Sequence, residues 1–238
     1  MNALTPPAGP KYYPEMIQGS DEWHAVRCGL LTASEVKLIL TPKLKIADNE
    51  KTRTHLWELL AQRISGYTEP TYIGEAMMRG KEDEIYARIA YSEHYGEVEE
   101  AGFITNDAWG FTLGYSPDGL VGNDGLLECK SRRQAYQIST VVENVIENTI
   151  PEEYVLQCQT GLLVTGRKWL DFISYSGGLP MAVIRVNPDP VIQDAIIAAA
   201  TAFEAKLAEK LAIYKQAVAS PEYRLIPTER RVEMEMFV

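Results

Sequence analysis

The apolar positions of this chain change period several times, and each change marks an expected element. In "THLWELLAQRIS" Leu56, Leu59, Leu60 and Ile64 recur at helical spacing, and Gly66 stands where such a helix would end. Ahead of it, "SDEWHAVRCG" begins at Ser20 as a cap and runs to Gly29. "TASE" sets Thr32 and Glu35 at capping-box spacing, so a second helix is predicted to stop before Pro42. A long helix is predicted from about Thr71 to Tyr95. The period then drops toward two, and "VEEAGFIT", "GFTLGYS" and "GLLECKS" read as strands. A helix within residues 134–148 follows, then one with Pro151 in its first turn. The strands "WLDFISYS" and "MAVIRV" and an Ala-rich helix from about Pro190 to Val218 close the chain. The middle therefore reads helix, three strands, helix, strand, an α/β (α+β) order in which a mixed central sheet is flanked by helices. Neither repeat nor low-complexity tract breaks the pattern. Residues 1–238 are read as a single domain whose Pro-rich first 14 residues are expected to be flexible.

Composition narrows the class. A chain of 238 residues with 46% apolar content can bury roughly 70–75% of the surface it would expose unfolded. No apolar run approaches the roughly 20 residues that span a bilayer. The start "MNALTPPAGPKYYPEM" lacks the basic and apolar regions of a signal peptide, so a cytoplasmic protein without membrane contact is expected. Cys28, Cys129 and Cys158 are odd in number and far apart, which argues against a disulfide framework or a zinc cluster and for small core residues. A formal charge of −10 disfavours a protein that coats DNA through its whole surface, yet it leaves room for a local basic channel.

The stretch "SPDGLVGNDGLLECK" carries the candidate chemistry. Glu128 and Lys130 lie two residues apart in an expected strand, so they face the same way and Cys129 faces the other. The Gly- and Asn-rich spacer can turn the chain so that Asp118 returns opposite Glu128. A solvated surface pair is the plainer alternative; the Pro-Asp-Gly setting of Asp118 and the apolar run before Glu128 favour convergence. On the long helix Met77, Lys81, Glu84 and Arg88 form one stripe. Glu84 is there either a third carboxylate of the site or half of an i, i+4 pair with Arg88. On the helix after Pro151 the stripe is Tyr154, Gln157, Cys158, Gly161 and Leu162, and Gln157, its polar member, needs partners. Clustered carboxylates without Cys or spaced His are hard oxygen ligands that select Mg²⁺ or Mn²⁺. Two such ions about 4 Å apart suit phosphate hydrolysis, with Lys130 orienting water or stabilising developing charge.

Pro117-Asp118 followed by Glu128-Cys129-Lys130, in that order of elements, resembles the nuclease superfamily named for its PD-(D/E)xK motif. Four blocks in order, the motif's own among them, "GSDEWHAVRCGLLTASEV", "RGKEDEIYAR", "GYSPDGL…LLECK" and "YVLQCQTGLLVTGRKWLDFISY", are similar to the lambda-type phage alkaline exonucleases, or YqaJ-like viral recombinase family, over roughly residues 17–187. The resemblance implies a 5′-to-3′ exonuclease that digests one strand of linear double-stranded DNA to mononucleotides with two Mg²⁺ ions. It implies a homotrimer ring around DNA, a phage single-strand annealing protein as partner, and a role in end resection and recombination in the host cytoplasm. By position, Asp118, Glu128 and Glu84 would bind metal together with the backbone carbonyl of Cys129. Lys130 would be the catalytic lysine, and Arg27, Ser34, Ser116 and Gln157 would hold the terminal 5′-phosphate. A guanidinium at Arg27 and a first-turn position at Ser34 both suit a phosphate.

The chain departs from the lambda enzyme between Thr41 and Thr52, "TPKLKIADNEKT", where Lys43, Lys45 and the following Arg53 are candidates for duplex contact, a solvated charged loop being the plainer alternative. The tail 221–238 is read as a subunit or partner segment. Trp23 and His24 are read as packing residues, and His55 and His94 as structural. An endonuclease of the same fold would share Asp118, Glu128 and Lys130 without needing an end-phosphate pocket, and a non-catalytic DNA-end scaffold would lack one of the carboxylates.

Overall fold

The computed structural model describes residues 9–70 and 74–230. Its strands divide between two four-stranded mixed sheets instead of one central sheet. The first comprises β1 (Lys11–Tyr13), β2 (Leu31–Thr32), β3 (Phe103–Asn106) and β4 (Leu113–Tyr115) in the order β1-β3-β4-β2, with only β2 and β4 parallel. The second comprises β5 (Gly119–Val121), β6 (Gly125–Ser131), β7 (Trp169–Tyr175) and β8 (Ala182–Val186) in chain order, with only β6 and β7 parallel. The division falls at Ser116–Pro117–Asp118. Pro117 has no N–H for a ladder, and Gln18 Nε2 donates to its carbonyl at 2.9 Å, so the chain leaves one sheet and enters the other there. The middle of the fold thus runs helix, four strands, helices, strand.

Helices α1 (Asp21–Arg27), α2 (Glu50–Ser65), α3 (Glu75–His94), α4 (Gln134–Ser139), α5 (Glu152–Thr165) and α6 (Pro190–Ala219) match the expected positions with three corrections. The helix predicted after Thr32 is only a six-residue 3₁₀ turn, Ala33–Leu38. Thr32 is already committed to β2, and the Leu40–Ile46 bridge turns the chain back before another helical turn can form. The long helix begins at Glu75; Thr71 lies among 71–73, outside the described residues. α4 passes into a π-helical segment, Thr140–Val145. Of "VEEAGFIT" only the end is strand, Glu99 giving a single bridge to Leu120. Lys11–Tyr13, inside the stretch expected to be flexible, pairs with β3 as an edge strand. Residues 1–8 and 231–238 lie outside the described residues; nearer the body, Arg230 stacks 3.8 Å from the Tyr67 ring.

The alternation of β6 sorts the layers. Leu126 faces the main core, where Leu156, Cys158 and Leu162 of α5 and Ile196, Ala199 and Phe203 of α6 pack. Leu127 and Cys129 face the other side, against Ala87 and Tyr91 of α3. His55 is buried against Phe203, whereas His94 is exposed, its Nδ1 2.8 Å from the Ala90 carbonyl of its own helix. All three cysteines are free. Among the described residues no helix is long and apolar enough to cross a membrane.

Candidate active site

The β5–β6 hairpin brings the first carboxylates together. Gly119 stands opposite Leu127, so the chain just before β5 runs beside Glu128 and Cys129. Asp118 N donates to Leu127 O at 3.1 Å, and Cys129 N donates to Asp118 Oδ2 at 2.6 Å. Glu128, only 1% exposed, accepts from Lys130 Nζ (2.5 Å) and Gln157 Nε2 (2.6 Å) on Oε1 and from the Tyr115 hydroxyl (2.8 Å) on Oε2. A buried carboxylate needs such donors, and it has three. Tyr115 reaches it because position 161 is glycine: a Cβ there would stand 2.7 Å from the tyrosine ring.

Charge follows from this packing. Burial raises the Tyr115 pKa well above its ordinary value and the nearby carboxylates add to the shift, so the phenol stays a donor. Burial opposes the ammonium of Lys130, but Glu128 and Asp118 outweigh it and hold its pKa above the usual lysine value. Asp118 is pushed well up by burial, then by Glu128 and Glu84. Glu84 is also raised, chiefly by burial, against the opposing charge of Arg88. The two readings of Glu84 coexist: Arg88 Nη1 lies 3.3 Å from Glu84 and also donates to Asp118 O at 3.3 Å, while Nη2 holds Glu100 at 2.9 Å. Arg88 thereby ties α3 to the hairpin.

Each of the three carboxylates faces a protein donor, and among the described residues no three acidic, His or Cys side chains stand at metal-binding spacing. The donor set nevertheless suits a hard divalent cation. Burial and the neighbouring carboxylates raise the pKa of Asp118 and of Glu84 beside Lys130, and the carboxylates offer only oxygen ligands.

A second cluster lies on the other side of the Ser116–Asp118 bend. Arg27 Nη1 and Trp23 Nε1 both donate to Ser116 Oγ, at 3.2 and 3.0 Å. Arg27 Nη2 donates to Thr32 Oγ1 (3.4 Å), which lies 3.3 Å from Ser34 Oγ. The guanidinium sits 4.1 Å from the Trp23 ring; its burial lowers the Arg27 pKa and Glu35 offsets part of that. Here an arginine is surrounded by hydroxyls and an indole, an arrangement suited to an anion. Arg27, Ser116 and Ser34 are thus joined, Ser34 only through Thr32. Gln157 does not join them, because its amide is turned to Glu128. In the 41–53 region Arg53 faces Asp48 at 3.6 Å, both exposed.

Trp23, read as packing, is part of this cluster, and its i, i+4 spacing to Arg27 was the available signal. Thr32, Tyr115 and Tyr154 were also missed as site neighbours. Only Tyr154 carried a sequence cue, its place on the stripe with Gln157.

Residues 22–168 match the family model described as YqaJ-like viral recombinase domain. Among solved structures, an alkaline exonuclease (LHK-Exo) from Laribacter hongkongensis is 33% identical, covering 84% of this chain and 98% of its own, with a TM-score of 0.73. Its complex with dAMP matches over the same shares at a TM-score of 0.74. A phage related exonuclease from Haemophilus somnus, 11% identical over 76% of this chain and 96% of its own, shares the fold at a TM-score of 0.56. None of the curated protein sequences matches.

Proposed function

The chain belongs to the YqaJ-like viral recombinase family, and from that premise we propose that it is an exonuclease that hydrolyses the 5′-ended strand of linear duplex DNA to mononucleotides. One observation carries the reading: Ser116 of the hydroxyl–guanidinium cluster and Asp118 of the carboxylate cluster are two residues apart in one bend, so an anion seat and a hydrolytic centre adjoin. The Laribacter enzyme's complex with dAMP, a mononucleotide, is consistent with that product.

In this proposal Glu84, Asp118, Glu128 and the Cys129 carbonyl would hold two Mg²⁺ ions, with Mn²⁺ as a substitute, which when bound make water a better nucleophile and neutralise phosphate charge. The chain's own groups supply the rest. Arg27, Ser34 and Ser116 seat the terminal 5′-phosphate, while Gln157, turned away from that cluster, steadies Glu128. Lys130 orients the attacking water and offsets charge developing on the scissile phosphate. Water adds to phosphorus as the P–O3′ bond breaks. The released mononucleotide keeps a 3′-hydroxyl, and the shortened strand keeps a new 5′-phosphate. End resection for recombination beside a phage single-strand annealing protein, in the host cytoplasm, fits this product. A homotrimer ring is the proposed assembly; exposed Ile85, Tyr86 and Ile89 on α3 supply apolar surface for such a contact.

Linear and covalently closed duplex DNA, each incubated with Mg²⁺, test the reading. Mononucleotides are expected from linear DNA bearing 5′-phosphates and nothing from the closed circle. A nicked or cut circle would make the protein an endonuclease, and bound but undigested ends would make it a scaffold. Asp118→Asn is expected to bind Mn²⁺ about 10- to 100-fold more weakly in calorimetric titration, because an amide keeps the shape and loses the charge. Unchanged affinity removes Asp118 from the ligand set.

A further inference from the structure

Alternation along β6 continues past its end, so Glu128, Lys130 and Arg132 share one face. Helix α5 meets all three. Gln157 donates to Glu128 at 2.6 Å, the Tyr154 ring centroid lies 5.4 Å from Lys130 Nζ, and Glu153 lies 2.9 Å from Arg132 Nη1. Tyr154 is itself fixed from two sides: its hydroxyl accepts from Arg132 Nη1 at 2.7 Å, and its ring packs 5.3 Å from the buried ring of Phe172. The Arg132 side chain is only 9% exposed, its Nη1 bonded to Glu153 and Tyr154, while its Nε is buried without a partner. An arginine so enclosed acts on its neighbours more readily than on a ligand.

Lysine is a point charge on a flexible stem, and one carboxylate partner fixes its distance but not its direction. Lys130 Nζ is hydrogen-bonded to Glu128, a proposed cation ligand, and flanked by the Tyr154 ring, which is not one. We propose that Tyr154, locked by Arg132, is a positioning residue for Lys130, its ring forming the wall that keeps the ammonium aimed at the scissile phosphate. This rests on the nuclease reading above. The ring attracts the ammonium through its π face and blocks the rotamers that would swing it away.

Tyr154→Leu removes the wall. Its kcat on linear duplex is expected to fall about 10- to 30-fold, with KM and Mn²⁺ affinity unchanged. Tyr154→Phe keeps the ring and should recover most of that rate. In a Lys130→Ala background, Tyr154→Leu should have no further effect, since the group it positions is gone. An equal loss in that background, or a loss that appears in KM, overturns the proposal. A crystal structure of Tyr154→Leu provides a readout that needs no activity: Lys130 Nζ is expected to keep Glu128 but to swing into the space the ring had filled, and an ammonium found unmoved overturns the proposal. An inactive wild type would instead sink the nuclease reading and leave the positioning claim to that structure. Should Tyr154→Leu fail to fold, Tyr154→Met takes its place in each arm.

Discussion

Lys130→Ala is expected to cut linear duplex DNA about 10²- to 10³-fold more slowly than the wild type, the range typical for loss of one preorganised electrostatic group. Metal and DNA binding should be almost unchanged, because the ammonium acts on charge that develops only in the transition state. The position of the side chain explains the size of the effect. Its carboxylate partner is nearly sealed from solvent, and Glu128 with Asp118 keeps Lys130 protonated far above neutral pH. A full positive charge therefore stands in a region of low dielectric, where it is worth more than in water. Single-turnover rates beside equilibrium DNA binding separate the two effects. Normal turnover removes Lys130 from the mechanism.

Arg27→Ala should erase most of the wild-type preference for 5′-phosphate over 5′-hydroxyl ends. A charge-assisted hydrogen bond to phosphate is worth about 1.5–3 kcal/mol, so digestion of phosphorylated ends is expected to slow about 10- to 150-fold. Hydroxyl ends lack the anchor already and should change little. Four rates, two enzymes on two ends, form a double-mutant cycle. The direct partners of Arg27, the Ser116 and Thr32 hydroxyls and the Trp23 ring, are neutral, and the nearby Glu35 carboxylate is held by Thr32, so the guanidinium forms no ion pair that a phosphate must break. A mutant that keeps the full preference would show that the cluster binds something other than the end.

What could be read in the sequence depended on how far apart the partners lie along the chain. Asp118 and Glu128 are ten residues apart across a Gly-rich turn, so turn chemistry alone brought them together. Helices with strong local signals, such as α1 behind Ser20 and α2 ending at Gly66, matched closely. The Arg27–Ser116 contact spans 89 positions and came only from resemblance, because no local pattern encodes it. The 3₁₀ turn at 33–38 was misread because a capping box marks a helix start and says nothing of its length. The split into two sheets was missed because Pro117 reads as a turn residue, whereas its effect is to pass one extended path from sheet to sheet.

That passage carries a consequence for how such an enzyme can vary. In the proposed reading, the seat for the strand end and the cleavage centre hang from Ser116 and Asp118, whose Cα atoms are at most about 7 Å apart along the chain. Pro117 restricts the backbone between them, and Gln18 grips its carbonyl. The stride of the enzyme, the length of strand removed per turnover, is then a covalent quantity. Substitutions around the site can make it faster, slower or less selective, yet none alters the gauge. Only an insertion or deletion inside this tripeptide would, and it would move both clusters at once. Step length should accordingly be the trait that drifts least, even while the segment 41–53 is rewritten.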